Sequence, residues 1–202
     1  MTSARAREIV ARIVASPVDA LRRDNPDLGE IASLGPDAVD AVAEAMNGTE
    51  TRDHHPHQVV EALTHVLSEV AKADPGALLA RLDAAEPNAT VYVSALGSAK
   101  PDPAVIAALG RMVTSEDATI RYAAANALVA LHTPEAAAAL VPALSDAYGP
   151  VQFVAVQAIR DDDVFRVPDA VPPLRRIVAD SRVKRMAPEI WEQARQALEE
   201  ME

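Results

Sequence analysis

The sequence has no cysteine, only seven glycines and few aromatic residues, which make up 3% of the chain. The absence of cysteine excludes disulfides, thiolate nucleophiles and zinc sites with Cys ligands. No apolar run approaches the roughly 18 residues of a membrane span. The first residues also lack the continuous apolar core of a secretion signal. We therefore expect a protein of the cytoplasm that does not bind membranes.

Basic residues are also scarce, because 19 Lys and Arg stand against 30 Asp and Glu, which gives a net charge of −11. Such a charge repels phosphate backbones, so we expect no nucleic-acid partner. The charge is uneven along the chain: +3 over residues 1–23, −11 over 24–120 and −3 over 121–202. Residues 175–185 nevertheless carry a local charge of +4, which could receive an acidic partner.

What the sequence does contain favours helices, because apolar residues make up half of the chain and 15 prolines separate the apolar stretches. Alanine has the best helix propensity, and proline is tolerated in the first turn of a helix. Apolar residues also recur at intervals of three and four residues, as one side of a helix requires. The longest example predicts a helix from Pro56 to about Ala73. Its buried residues would be Val59, Leu63, Val66, Leu67 and Val70.

The second half of the chain repeats itself. IRYAAANAL, starting at Ile120, matches VQFVAVQAI, starting 31 residues later at Val151. The matched pairs are Tyr122 with Phe153, Ala124 with Ala155, Ala127 with Ala158 and Leu128 with Ile159. Three further segments each contain a proline followed six residues later by a leucine. The pairs are Pro103 with Leu109, Pro134 with Leu140 and Pro168 with Leu174. Two helices that recur together in this way indicate a stack of helix pairs around a continuous core.

This pattern resembles HEAT repeats, and in particular the short PBS-lyase HEAT-like repeats of about 30 residues. The residues that carry the resemblance are Asp117, Ile120, Arg121, Ala124, Ala127, Leu128, Pro134, Ala136, Leu140 and Leu144. The next repeat departs from the pattern, with Gln152 at the position of Arg121. The resemblance implies an all-α fold, a right-handed superhelix of about five to six helix pairs. We expect one domain, with capping helices over residues 1–50, repeats over 51–181 and a capping helix over 182–202.

The resemblance also implies a partner and a place for it. HEAT-like proteins commonly bind another protein or a peptide on a concave face lined by the second helix of each pair. Those helices would be about 76–85, 103–114, 135–146 and 169–180. Their outward positions include Arg111, Val141, Arg175 and Arg176, which suit an apolar segment flanked by carboxylates. Asn126 and Gln157 are candidates for hydrogen bonds to an extended peptide.

Candidate chemistry is limited to one histidine cluster. His54, His57 and Glu61 could bind a transition metal, whereas the alternative interpretation is a polar helix start capped by Asp53. No His-Glu dipeptide, glycine-rich phosphate loop or nucleophile motif occurs. We therefore expect a scaffold or adaptor with no catalytic residue and no cofactor. The alternative is an enzyme on the same scaffold, either metal-dependent or similar to the bilin lyases of the PBS-lyase group.

Overall fold

A computed structural model describes residues 2–17, 25–48, 56–82 and 88–201. These residues form thirteen α-helices and no strand. The chain divides into two compact units, residues 1–100 and 101–202. The all-α prediction is confirmed, and the expectation of one continuous domain stays a prediction.

Unit 1 is organised around one long helix. Its helices are α1 (Thr2–Ala15), α2 (Pro26–Ala32), α3 (Pro36–Gly48), α4 (Pro56–Ala73), α5 (Gly76–Leu82) and α6 (Ala89–Leu96). Helix α4 packs against each of the other five. All five of its predicted core residues are buried, from Val59 to Val70. The 3.6-residue spacing of the apolar side chains therefore located the longest helix and its buried face.

Unit 2 consists of two layers of helices. Its helices are α7 (Pro103–Met112), α8 (Ala118–Leu131), α9 (Pro134–Leu140), α10 (Gly149–Asp161), α11 (Val171–Ala179), α12 (Ser181–Met186) and α13 (Pro188–Met201). One layer contains α7, α9 and α11, and the other contains α8, α10 and α13. The predicted repeat positions Leu109, Leu140 and Leu174 are all buried between these layers.

Helix starts in unit 2 follow from capping chemistry. The Asp102 carboxylate accepts a hydrogen bond from the Ala104 N–H at 2.8 Å, and Pro103 occupies the first turn. Thr133 caps α9 in the same way, with its hydroxyl 3.1 Å from the Ala136 nitrogen. A capping side chain followed by proline satisfies donors that the first turn leaves without partners. The two prolines therefore fix where these repeat helices begin.

Prolines inside the second helices shorten them relative to the prediction. Helix α9 ends at Leu140 and continues as a 3-10 helix over Val141–Ser145. In the following repeat, a 3-10 turn over Pro168–Ala170 precedes α11. Pro142 and the pair Pro172 and Pro173 lack the N–H that an α-helical turn would use. The expected helices 135–146 and 169–180 are therefore mixed α and 3-10 segments.

The C-terminal part also differs from the single helix expected over residues 182–202. It consists of α12 and α13, separated at Ala187, whose φ of −140° and ψ of 64° are not helical. Pro188 disfavours an α conformation at the residue before it, which explains the break. Ile190, Ala194 and Ala197 of α13 are buried, and the helix packs on α10 and α11. Helix α13 thus covers the last repeat, as a capping element does.

Candidate protein-binding surfaces

The outer side of α7, α9 and α11, together with the 3-10 segment 141–145, forms a surface that we call the second-helix face. Arg111, Arg175 and Arg176 are exposed there, and Val141 is half-buried. Arg176 is held by a weak hydrogen bond from its Nε to the Pro172 carbonyl, at 3.4 Å. The structure therefore places four of the six predicted partner-binding residues on one layer of unit 2.

An apolar cavity of about 460 Å³ lies on the second-helix face, between α7 and α9. Ile106, Ala107 and Gly110 form one wall, and Ala139 forms the other. A Cβ atom added to Gly110 would lie 3.4 Å from the Ala139 Cβ, so the two helices approach closely here. Asp102 and Glu135 lie at the start of the two helices and give that end of the cavity a negative charge. Arg111 follows Gly110 near the other end of α7.

The other two predicted residues, Asn126 and Gln157, are exposed on α8 and α10, in the opposite layer. They line a cleft of about 620 Å³ that we call the first-helix cleft. Its apolar side chains are Tyr122, Pro150, Phe153, Val154, Met186 and Ile190. The six predicted residues therefore divide between two surfaces of unit 2, four on one and two on the other.

A cationic helix borders the first-helix cleft. Helix α12 contains Arg182, Lys184 and Arg185 and no acidic residue, and it ends at Met186 in the cleft wall. Lys184 lies over the Trp191 ring, with its Nζ 4.3 Å from the ring centroid. Arg182 is 3.8 Å from Asp180 and largely exposed, whereas Arg185 forms no ion pair within residues 101–201. Helix α12 is therefore a positive segment in a protein of net charge −11.

Arg121 has a structural role in joining successive helix pairs. Its Nε and Nη2 donate to the two carboxylate oxygens of Asp146, at 2.6 and 2.9 Å. Its Nη1 donates to the carbonyls of Ser115 and Glu116. The guanidinium thereby lowers the pKa of Asp146. In the next repeat Gln152 donates to the Leu144 carbonyl at 2.8 Å, so a shorter side chain also contacts a neighbouring segment there.

Comparison with known families agrees with this repeat architecture. The model of the HEAT-repeat family matches residues 75–160, which extend from the start of α5 to the end of α10. Residues 75–160 form HEAT repeats. No curated protein matches the chain in sequence.

Solved structures with the same fold as this chain are helical repeat proteins. One is a designed armadillo repeat protein in complex with the peptide (KR)4, at 14% identity and a TM-score of 0.56, with 98% of each chain covered. Another is an engineered protein at 19% identity and a TM-score of 0.52. The match covers 97% of this chain and 57% of the engineered protein. At these identities the similarity establishes the fold, a helical repeat solenoid.

The metal hypothesis falls largely on residues that the structure leaves undescribed. His54 lies outside the described residues, and so does the side chain of His57. Glu61 is exposed on α4. Within the described part of the chain, no three His, Asp or Glu residues are placed to hold a metal ion. None of the helices in that part is long and apolar enough to cross a membrane.

Some residues that shape the two surfaces of unit 2 were not predicted to lie there. Tyr122 and Phe153 were recognised as matching repeat positions, yet Tyr122 is 43% exposed, and both line the first-helix cleft. Met186 is 84% exposed at the edge of the same cleft. One sequence signal could have identified them, since an aromatic residue recurs four positions before each exposed amide. Tyr122 precedes Asn126 and Phe153 precedes Gln157 by one helical turn.

Proposed function

We propose that this HEAT-repeat protein is a non-catalytic scaffold or adaptor that binds a partner protein or peptide on the second-helix face. The observation that carries the proposal is the presence of exposed arginines on the first and third helices of this layer, Arg111 on α7 and Arg175 with Arg176 on α11. The apolar cavity of about 460 Å³ lies on the same layer. HEAT repeats place such outward positions side by side, which supports their use as one continuous surface.

The chemistry of the face defines the partner. Ile106, Ala107 and Ala139 offer an apolar surface, with the charged Asp102 and Glu135 at one end of the cavity, which favours a partner segment with small or medium apolar side chains. Arginine binds a carboxylate through two parallel hydrogen bonds, so Arg111 and the Arg175–Arg176 pair suit acidic residues that flank the apolar part. Each exposed ion pair contributes at most about 1 kcal/mol, and specificity therefore depends on several contacts made together.

The designed armadillo neighbour binds the peptide (KR)4, which supports peptide binding by a helical repeat surface of this kind. The same comparison does not set the sign of the ligand charge, because the sequences are only 14% identical. For the second-helix face we assign an acidic partner, since arginines are exposed at both ends of the layer, Arg111 on α7 and the pair Arg175 and Arg176 on α11.

The test begins with purification of the tagged protein from its own cells, with crosslinking and mass spectrometry to identify a stoichiometric partner. Crosslinks are expected on residues 103–112, 134–145 and 171–179. The purified partner is then titrated against the Arg175→Glu/Arg176→Glu variant, which we expect to abolish binding. Helical circular dichroism and Tm should stay unchanged, because both arginines are exposed.

The control is a charge reversal at an exposed residue of unit 1, Lys72→Glu on α4. This control should bind the partner normally. If the partner binds the Arg175→Glu/Arg176→Glu variant and the unmodified protein equally, the second-helix face is not the binding surface. Crosslinks confined to unit 1 would refute the assignment in the same way.

A further inference from the structure

The first-helix cleft has the composition of a peptide-binding site. It exposes Tyr122 and Met186, while Phe153, Val154 and Ile190 form its floor and inner walls. Single exposed apolar residues are ordinary, but these residues converge on one concave region of about 620 Å³. That volume lies in the range of roughly 300–1,000 Å³ typical of small-ligand sites. The cleft can therefore receive a large apolar side chain of a partner.

Two amides supply polar contacts at the edge of this apolar region. Asn126 and Gln157 occupy equivalent positions of successive repeats, 31 residues apart. Asn126 donates one N–H to the Tyr122 carbonyl at 2.8 Å, which fixes its rotamer and leaves its oxygen and second N–H for a partner. A primary amide can both donate to and accept from a peptide backbone. The pair therefore suits an extended segment that crosses from α8 to α10.

The positive charge of α12, beside the cleft, favours a ligand segment with negative charge. Met186 is a wall residue, and Arg185, Lys184 and Arg182 lie one, two and four positions before it on α12. Glu189 also lines the cleft, at the start of α13, so the local balance of these four residues is +2. Arg185 has no ion-pair partner within residues 101–201. Acidic residues on a ligand would bring a counter-charge to Arg185, which has none among residues 101–201.

We propose that the first-helix cleft binds an extended, acidic segment of a partner protein, with an aromatic or long aliphatic side chain anchored between Tyr122, Phe153 and Met186. This site is distinct from the second-helix face, because it lies on the opposite layer of unit 2. The apolar anchor supplies burial, the amides align the segment and α12 attracts its carboxylates.

The experiment uses the full-length protein and three fluorescein-labelled peptides with one shared core: EEELFLEEE, SSSLFLSSS and KKKLFLKKK. Fluorescence anisotropy at low salt gives the affinities. We expect the acidic peptide to bind at least about tenfold tighter than the serine peptide, because several ion pairs act together. The lysine peptide should not bind measurably. Raising the salt concentration should weaken the acidic peptide most, since exposed charges are screened.

Methyl NMR then locates the bound peptide. The Met186 and Ile190 methyl signals report the cleft, and the Ile106 signal reports the cavity on the second-helix face. The acidic peptide should shift the first two signals at lower peptide concentrations than it shifts Ile106, because its aromatic core is larger than the side chains that the cavity on the second-helix face favours. Shifts at Ile106 alone, or equal affinity for the acidic and serine peptides, would overturn the proposal. So would the absence of binding by all three peptides.

Matched variants test separately the apolar anchor, the charge of α12 and the location of the binding site. Met186→Glu should abolish binding of the acidic peptide, and Val60→Glu, which changes an exposed apolar residue of unit 1, should leave binding intact. Arg185→Glu should weaken binding about fivefold, as expected for a charge at the rim of an interface, and Lys72→Glu, which changes an exposed cation of unit 1, should have no effect. If instead the Met186 signal broadens with protein concentration in the absence of peptide, a second copy covers the cleft and the peptide assignment is wrong.

Discussion

The Arg121–Asp146 pair shows how one residue can connect two repeats. The two side chains are 17% and 6% exposed, and the guanidinium also donates to two backbone carbonyls. A bidentate pair with further hydrogen bonds is the geometry in which burial of charge is compensated. Loss of either partner leaves the other without its counter-charge. The pair therefore stabilises the loops before α8 and before α10, which are the turns between successive helices.

Acid should weaken this connection, and Asp146→Asn tests the effect. The ion pair lowers the pKa of Asp146 below its ordinary value of 3.8. A carboxyl whose folded pKa is lowered contributes stability above its unfolded pKa, and that contribution is lost as the pH falls through the folded value. We expect Asp146→Asn to lower the Tm by several degrees at pH 7, and we expect this difference to shrink below about pH 4.

The measurement is thermal unfolding followed by circular dichroism between pH 7 and pH 2.5. The control is Asp169→Asn, which changes an exposed aspartate without an ion pair in the described residues. Asp169→Asn should be as stable as the unmodified protein at every pH measured. A pH-independent loss of stability in Asp146→Asn would show that the charge of Asp146 is not what stabilises the turn.

Two glycines predict opposite effects of an added methyl group. Gly110 lies in the helical region of α7, and a Cβ there meets only the Ala139 Cβ at 3.4 Å, an ordinary contact. Gly110→Ala should therefore raise the free energy of unfolding by about 0.5–1 kcal/mol, because alanine restricts the unfolded chain and favours helix. Gly35 has a φ of +50°, a left-handed conformation that a Cβ atom makes unfavourable. Gly35→Ala should therefore lower the free energy of unfolding by about 1–2 kcal/mol.

Denaturant midpoints of the two glycine variants provide the measurement. The slope of each transition should be unchanged, since neither substitution alters the surface exposed on unfolding. If Gly110→Ala is destabilising, α7 and α9 are in closer contact than the 3.4 Å separation implies. If Gly35→Ala is neutral, the backbone at residue 35 does not hold a left-handed conformation.

At the scale of elements, sequence periodicity predicted which side of each helix is buried. Leu109, Leu140 and Leu174 lie in the core as expected. The prediction was possible because three repeated segments place a leucine at the same position of the helix. Periodicity did not predict where the helices change type. The change at Pro142 depends on one missing N–H, and an apolar pattern contains no information about backbone donors. The break before Pro188 has the same origin.

Helix α13 is attached to α11 by the only tryptophan of the chain. The Trp191 Nε1–H donates to the Val178 carbonyl at 2.9 Å, and Lys184 lies over the ring. Trp191→Phe retains an aromatic ring but removes the donor and weakens the cation–π contact. We expect a loss of about 1–2 kcal/mol in the free energy of unfolding, from the unsatisfied carbonyl and the weaker stacking.

Urea unfolding monitored by circular dichroism measures the effect of Trp191→Phe, since the variant has no tryptophan fluorescence. The control is Tyr148→Phe, which removes a hydroxyl from a residue that is 45% exposed and should change stability by less than about 0.5 kcal/mol. Equal stability of Trp191→Phe and the unmodified protein would mean that apolar contact alone attaches α13 to the last repeat.

At the scale of the whole molecule, the sequence predicted the repeat class and the residue types that line its surfaces, but not how those residues are grouped. Arg111 and Asn126 are both outward positions of amphipathic helices. A period of 3.6 residues separates buried from exposed positions, and it does not tell which exposed positions of different helices share a face. That assignment requires the two-layer arrangement. Asn126 and Gln157 therefore line the first-helix cleft, apart from the four predicted residues on the second-helix face.

The enzyme alternative makes a prediction that differs from the scaffold at the level of the whole protein. Positions 57 and 61 lie one turn apart on α4, and residue 54 precedes the helix, so these three residues could supply a transition-metal site. A scaffold has no need of a resident ion. We expect protein purified without a His tag to contain no stoichiometric transition metal by elemental analysis, and we expect EDTA to leave its Tm unchanged.

Three variants decide the origin of any metal that is found. A near-equimolar metal that is lost in His54→Ala and in His57→Ala, together with a fall in Tm on adding EDTA, would favour the metal-dependent enzyme. His65→Ala is the control, because residue 65 lies about 12 Å along α4 from residue 57 and cannot share the same ion. Metal loss in all three variants would indicate nonspecific binding to histidines, which leaves the scaffold assignment intact.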